Sequence, residues 1–167
     1  MIMRFSTETE LILKDSDWHP GRVFEVDQLG DEIPSGSPIV SVLQEFGGLV
    51  IGSEELGIDC RRHIVDFRPS NWDFFDDGYF DDDGVPRKYL SLALARVGWL
   101  ETYNSSLLMD LSGVAYFSGE WSNGSGCYKY PAGIDSLLEH LLLGSELTGE
   151  VWSYGMLGEI LLKEQDQ

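Results

Sequence analysis

Apolar residues follow a helical spacing most clearly after Ser37, where four of them fall three and four positions apart. These four are Ile39, Val42, Leu43 and Phe46. Ser37 is a favourable N-cap, because its hydroxyl can accept a hydrogen bond from an unpaired N–H of the first turn. Pro38 suits the first helical position, and Gly47 suits the left-handed residue just past a helix end. The pattern predicts a helix over 38–46 that leads into an apolar strand over 49–51.

The same periodicities divide the rest of the chain. Helices are predicted over 5–17, 86–97 and 132–143, and the apolar tail over 146–167 is predicted to add a last helix. Extended segments are predicted over 23–26, 58–67 and 100–102, with a hairpin over 107–117 that turns at Ser112-Gly113. Segments 72–84 and 121–130 are predicted loops, and 27–36 a loop or short helix. Thr7 and Glu10 have the spacing of a capping box.

Helices cluster at both ends of the chain around a central run of strands. This order predicts an α+β fold with a mostly antiparallel central sheet flanked by helices. A chain of 167 residues is long enough to build one domain with its own core. We therefore predict a single domain over 1–167, in which 145–167 is a C-terminal extension packed on the rest.

Composition places the chain among globular proteins, with 43% apolar and 12% aromatic residues. No run approaches the roughly 20 apolar residues that span a bilayer, and residues 1–9 lack the apolar core of a signal peptide. We therefore expect a soluble, cytoplasmic protein. Cys60 and Cys127 are too few for a disulfide framework, so reduced thiols are expected.

Charge narrows the class of partner. The chain carries 11 basic and 29 acidic residues, a formal net charge of −18. Such a body repels nucleic-acid phosphates and anionic membrane surfaces, so neither is expected as a partner. It attracts basic proteins and speeds their encounter.

Residues 72–84 interleave six aspartates with five aromatic residues. An EF-hand alignment on Asp83-Gly84 puts Tyr79 first and Leu90 last, so both end ligands are wrong. A looser calcium site, a solvated acidic loop and a partner-binding surface remain as interpretations. The last is our hypothesis, because aromatic rings supply contact area, carboxylates pair with Arg and Lys, and the alternation imitates a nucleic-acid strand. The predicted binding residues are Asp73, Phe74, Phe75, Asp76, Asp77, Tyr79, Phe80, Asp81, Asp82 and Asp83.

Motifs for catalysis or for a metal do not stand out in the sequence. There is no Gly-x-Ser-x-Gly elbow, no phosphate-binding lysine loop and no Gly-x-Gly-x-x-Gly before a helix. Cys60 and His63 resemble half of a metal site, but structural zinc takes four ligands. His140 lies between leucines and is expected at a boundary position. We predict no catalytic residues, no metal and no cofactor.

Several short segments together resemble a known family. They are Phe5-Ser6, Trp18-His19-Pro20-Gly21-Arg22, Glu45-Phe46-Gly47-Gly48-Leu49, the strand-turn-strand over 107–116 and the leucine-rich helix over 134–144. In this order and spacing they resemble the third subfamily of the SUKH superfamily of bacterial immunity proteins, over roughly 5–144. The acidic-aromatic segment is longer and more acidic than the family pattern, and the tail after Gly144 lies outside the resemblance.

The resemblance implies an α+β, non-catalytic domain that binds and neutralises a toxin from a polymorphic or contact-dependent system, often a nuclease or deaminase. It implies that the motif residues are scaffold. Trp18 would pack, Pro20-Gly21 would form a turn, Arg22 would pair with a carboxylate or a helix C-terminus, and Glu45 would cap or pair locally.

Our hypothesis is an immunity protein that covers the basic cleft of a cognate, nucleic-acid-targeting toxin, as in a toxin–antitoxin pair. Two alternatives stay open. One is a protein-interaction adaptor of the same fold that serves no toxin. The other is a hydrolase that uses aspartates with a divalent ion.

Overall fold

A computed structural model describes residues 4–27, 29–75, 89–97, 105–121, 124–154 and 160–162. Within these residues the chain forms three α-helices and an antiparallel sheet of nine strands. The helices are α1 (Thr7–Asp15), α2 (Pro38–Phe46) and α3 (Ile134–Leu143). The strands are β1 (Val50–Ile51), β2 (His63–Asp66), β3 (Asp73–Phe75), β4 (Tyr89–Val97), β5 (Ser105–Asp110), β6 (Ala115–Trp121), β7 (Gly124–Tyr130), β8 (Glu150–Tyr154) and β9 (Ile160–Leu162). The predicted α+β class with a mostly antiparallel sheet is confirmed.

Strand β4 joins two short partners along one side of the sheet. The strand order is β1-β2-β4-β5-β6-β7-β8-β9, and β3 also pairs with β4. Tyr89 at the start of β4 lies opposite Phe75 of β3, whereas Val97 at its end lies opposite His63 of β2. The end of β3 at Phe75 and the turn that precedes β2 are therefore at opposite ends of β4.

Helix α2 begins as predicted. The Ser37 hydroxyl accepts a hydrogen bond from the backbone N–H of Ile39 at 3.2 Å, and Pro38 takes the first helical position. The predicted face is buried at Ile39, Leu43 and Phe46 and packs against the core. The helix end differs in one detail, because Gly47 has φ −51° and the following Gly48, with φ +78°, is the left-handed residue.

Helix α1 begins one residue earlier than the capping-box spacing predicted. The Ser6 hydroxyl, not that of Thr7, accepts from the backbone N–H of Thr9. Helix α3 ends as predicted at Gly144, which is left-handed with φ +63°. The hairpin between β5 and β6 is also confirmed. It turns around Asp110, whose buried carboxylate accepts from the backbone N–H of Ser112 at 2.8 Å.

The predicted helix over 86–97 is wrong, because residues 89–97 form β4. The segment is buried on both faces, with Leu90, Ser91, Leu92, Ala93 and Ala95 all at 5% exposure or less. A continuous apolar run of this kind fits a central strand as well as a buried helix, so its periodicity is ambiguous.

Three further predictions failed where pairing is long-range. The predicted loop over 121–130 forms β7, which pairs with β6 on one side and β8 on the other. The tail forms β8 and β9 where a helix was predicted. The strand predicted over 58–67 shrinks to His63–Asp66, and residues 58–62 belong to the preceding turn. Segment 23–26 forms no strand, 27–36 is irregular within its described residues, and the strand predicted over 100–102 lies outside the described residues.

Candidate partner-binding surface

The acidic-aromatic segment begins on β3. Asp73 lies opposite Ser91 and Phe75 opposite Tyr89 in the pairing of β3 with β4. Asp73 is exposed, whereas the half-buried ring of Phe74 packs against the hydrophobic core. The other predicted binding residues lie outside the described residues, namely Asp76, Asp77, Tyr79, Phe80, Asp81, Asp82 and Asp83. Their part in binding a partner stays a prediction.

Arg22 covers the C-terminal end of α2. Its guanidinium donates from Nη1 to the carbonyl oxygen of Glu45 and from Nη2 to that of Gly47, each at 2.8 Å. The last carbonyl groups of a helix have no N–H partner inside the helix, so a donor from outside satisfies them. The preceding turn places Gly21 at φ +77° and is closed by a hydrogen bond from the Arg22 N–H to the His19 carbonyl. The predicted pairing of Arg22 with a helix C-terminus is confirmed.

The Glu45 carboxylate connects three parts of the chain. Its Oε1 accepts from Trp18 Nε1 at 3.1 Å and from Arg4 Nη1 at 2.7 Å. Arg4 also donates to both carboxylate oxygens of Asp135 on α3, at 2.5 Å. The hydrogen bond to Asp135 is the largest cause of the raised pKa of Arg4, and the bond to Glu45 raises it further. Because the Arg4 side chain is 44% exposed, solvent screens much of this attraction.

Phe24 completes this contact, which we name the α2 corner (Arg4, Trp18, Arg22, Phe24 and Glu45). The Phe24 ring lies against Gly47 and Gly48, and a Cβ at either glycine would come within 2.7 Å of a ring carbon. The two short motifs over 18–22 and 45–49 are therefore the two sides of one packing contact. The expected packing of Trp18, the turn at Pro20-Gly21 and the pairing of Arg22 with a helix C-terminus are confirmed. Glu45 was expected to cap or pair locally, but it pairs with Arg4 and Trp18, which are distant in the sequence.

Side chains suited to metal binding or catalysis lie around an open cavity of about 430 Å³ that Cys60, His63 and His140 help to line. Desolvation lowers the pKa of His63 from 6.5 to about 4, so its ring is neutral at physiological pH. Both ring nitrogens of His140 bond to hydroxyls, those of Ser145 at 2.6 Å and Thr148 at 2.9 Å. Among the described residues, no group of three or more His, Cys, Asp or Glu could hold a metal ion.

Negative charge is exposed along the segment between α1 and α2. Five acidic side chains there are exposed, and the last residue of α1 adds a sixth: Asp17, Glu25, Asp27, Asp31, Glu32 and Asp15. Arg22 lies in the same stretch, but its guanidinium is turned inward to α2. This stretch therefore presents mainly carboxylates to solvent.

A pair of exposed aliphatic side chains before β2 was missed by the sequence analysis. Leu56 is 72% and Ile58 67% exposed. They lie on residues 54–61, which we name the apolar turn, and Ile58 had been placed on a strand. The available signal was Gly57 between two aliphatic residues, a few positions after the turn-forming Gly52-Ser53.

The comparisons with known proteins fit this fold. The model of the SUKH-3 immunity protein family matches residues 5–144, and the chain belongs to this family. Membership supports an immunity role with a cognate toxin as partner. Comparisons with curated proteins and with solved structures gave no match. Across the described part of the chain, no helix has the length and apolar character to cross a membrane.

Proposed function

We propose that this immunity protein neutralises a basic, nucleic-acid-targeting toxin in the cytoplasm by covering its substrate cleft. The observation that supports this most is the net charge of −18 on a member of an immunity family. A toxin that holds nucleic acid needs a positively charged cleft. An acidic protein of this size complements such a cleft and competes with the phosphates for it.

The acidic-aromatic segment is the part of the chain that we propose enters the cleft. Carboxylates there would pair with the Arg and Lys side chains that otherwise hold phosphates. The interleaved aromatic rings would occupy positions where bases stack. The pairing of β3 with β4 fixes one end of this segment on the sheet, and Asp73 is exposed at the start of β3.

Binding kinetics of a charge-reversal variant test this segment. The partner is the purified toxin domain encoded beside this gene, and the variant is Asp81→Lys/Asp82→Lys/Asp83→Lys. Loss of steering should lower the association rate about tenfold at low salt and flatten its dependence on salt. The control is Asp27→Lys/Asp31→Lys/Glu32→Lys, which changes the net charge equally at three exposed positions elsewhere.

The control separates local from global charge. If both variants slow association equally, overall charge steers the toxin and the segment is not the contact. If neither variant changes association, steering by carboxylates is excluded.

Competition tests occlusion. The wild-type protein should displace a fluorescent single-stranded oligonucleotide from a catalytically inactive toxin, with a midpoint that matches its affinity for that toxin. A ternary complex of protein, toxin and oligonucleotide would contradict occlusion.

A gene neighbourhood without any toxin gene would favour the alternative of a protein-interaction adaptor that serves no toxin.

A further inference from the structure

The apolar turn presents two aliphatic side chains to solvent at adjacent positions. Among the side chains whose exposure the structure describes, the large hydrophobic ones that are exposed are Leu11, Val23, Val50, Leu56 and Ile58. Leu56 and Ile58 differ from the others in lying on one turn, with only Gly57 between them. Exposed apolar side chains that are grouped in this way are characteristic of protein-contact sites.

The backbone of the apolar turn is fixed by the end of α3. The N–H of Ile58 donates to the carbonyl of Leu143 at 2.9 Å. The N–H groups of Asp59 and Cys60 both donate to the carbonyl of Gly144, at 2.8 and 2.9 Å. These bonds satisfy carbonyls at the helix end that have no partner inside the helix. The turn is thus anchored to an element more than 80 residues away in the sequence.

Glycines allow the turn and the helix end to approach closely. A Cβ on Gly57 would lie 2.2 Å from the carbonyl oxygen of Leu143, and one on Gly144 would lie 2.4 Å from that of Cys60. The turn is also closed internally by a hydrogen bond from the Gly57 N–H to the Cys60 carbonyl at 2.8 Å. A segment held at this many points loses little conformational freedom when a partner binds.

Charge around the apolar turn favours a basic partner. Arg62 and Arg96 are only 15% and 23% exposed, and they pair with Glu8, Glu55 and Glu54. Glu54 and Glu55 are themselves 60% and 73% exposed, so these pairs present the carboxylate to a partner more than the guanidinium. Asp59 and Glu146 add two exposed carboxylates against the one exposed cation of Arg61. The surface that a partner meets is therefore an aliphatic pair bordered by a small excess of exposed carboxylates.

A cavity adjoins the apolar turn and gives this surface a depression that side chains of a partner can fill. It has a volume of about 430 Å³ and lies between Asp59 and Cys60 of the turn, Phe117 and Tyr128 of the sheet, and Glu146 after α3. Its walls combine aromatic surface with the carboxylates of Asp59 and Glu146, the guanidinium of Arg61 and the rings of His63 and His140. Cys60 is exposed, so the reactivity of its thiol measures whether a reagent can reach this cavity.

We propose that the apolar turn is a contact surface for the basic toxin domain, with Leu56 and Ile58 inserted into an apolar depression bordered by basic residues. This inference rests on the proposed function, but it names a different surface from the acidic-aromatic segment. Phe75, the last described residue of that segment, lies opposite one end of β4 and the apolar turn adjoins the other end, about 26 Å away for nine strand residues. One interface of standard size spans a comparable distance, so a single toxin domain can contact both.

A double substitution tests the apolar contact. With the purified toxin domain encoded beside this gene, Leu56→Ser/Ile58→Ser should bind about 100-fold more weakly, mostly through faster dissociation. The matched control is Leu11→Ser/Val23→Ser, at side chains that are 57% and 75% exposed, and it should stay within about threefold of wild type. All three proteins should unfold at similar temperatures, because the substituted side chains are exposed.

Alkylation of Cys60 by iodoacetamide tests the same surface without a substitution. Cys127 is 2% exposed, so the folded protein should take up one adduct. Because burial raises the pKa of the Cys60 thiol, the reaction is run at alkaline pH. Saturating toxin should slow the alkylation at least tenfold.

The outcomes separate this inference from the proposed function. A wild-type complex in which Cys60 reacts at its free rate, and whose affinity survives Leu56→Ser/Ile58→Ser, overturns the inference and leaves the immunity function intact. Absence of any complex between the wild-type protein and the toxin overturns both. If Leu11→Ser/Val23→Ser lowers the affinity for the toxin equally, the inference is also overturned, because binding would then depend on exposed apolar area in general and not on the apolar turn.

Discussion

Two helix ends in this molecule are covered in contrasting ways. At the end of α2, the Arg22 side chain reaches inward and satisfies two backbone carbonyls. At the end of α3, the carbonyls of Leu143 and Gly144 accept hydrogen bonds from backbone N–H groups of the apolar turn, those of Ile58, Asp59 and Cys60. A cover made by side chains commits those side chains to stability. A cover made by backbone leaves the Ile58 side chain exposed to a partner, whereas Asp59 and Cys60 also bond through their side chains to the residues after α3.

Glycine serves both ends, but in different ways. At the α2 corner, Gly47 and Gly48 make room for the ring of Phe24. At the apolar turn, Gly57 and Gly144 let two backbones meet. We therefore expect substitutions at the α2 corner to lower stability alone. Side-chain substitutions on the apolar turn should spare stability, and backbone changes there should lower it.

Acid should loosen the β2 end selectively, and we expect this effect to be the largest. His63 follows the apolar turn, and desolvation lowers its pKa from 6.5 to about 4. As the pH falls below 6.5 the unfolded chain binds the proton first, so the stability contributed by neutral His63 is complete above pH 6.5 and is lost on the way to about pH 4. The difference corresponds to about 3 kcal/mol.

Chemical unfolding at a series of pH values measures this loss. His63→Leu is the comparison, because it keeps an apolar side chain and removes the titrating group. The pH slope of wild type minus that of the variant should be positive between pH 4 and 6.5. Identical slopes would show that the His63 ring is solvated when the protein is folded.

Gly57→Ala should give the next largest effect. Its Cβ would meet the backbone oxygen of Leu143, which cannot move without disturbing α3, so we expect a loss of about 2 to 3 kcal/mol in the free energy of unfolding. Gly36→Ala is the control, because a Cβ there meets no atom within 4 Å, and it should change stability by less than about 0.5 kcal/mol. Hydrogen exchange at Asp59 and Cys60 should accelerate in the Gly57 variant, and unchanged exchange there would contradict the anchored turn.

Arg22→Ala should destabilise by about 2 kcal/mol, because two carbonyls at the end of α2 lose a charged donor. Arg22→Lys should recover only part of this, since an ammonium cannot reach both carbonyls with a planar fork. Thermal unfolding gives the stability of each variant. Toxin affinity measured below the unfolding transition should be unchanged in both, and a specific loss of affinity would move the α2 corner into the interface.

Local signals made part of this structure predictable. Ser37 and Pro38 at the start of α2, Gly144 at the end of α3 and the Ser112-Gly113 turn each act on neighbours a few residues away. The resemblance to the family left a carboxylate or a helix C-terminus as the partner of Arg22, and the structure shows the helix C-terminus.

Long-range partners decided the rest. Residues 89–97 carry an apolar run that suits a helix, and only the strands on either side make it β4. Glycine-rich β7 looks like a loop until β6 and β8 are placed beside it. The exposure of Ile58 depends on contacts with Leu143 and Gly144, which no neighbouring residue encodes.

The strand β1 ends one side of the sheet with two residues, Val50 and Ile51. An edge this short offers few free backbone groups onto which a strand of another molecule could add. A longer edge of unpaired backbone groups would be a template for pairing with another copy of the chain. The short edge, together with mutual repulsion between highly acidic copies, therefore disfavours association of this protein with itself.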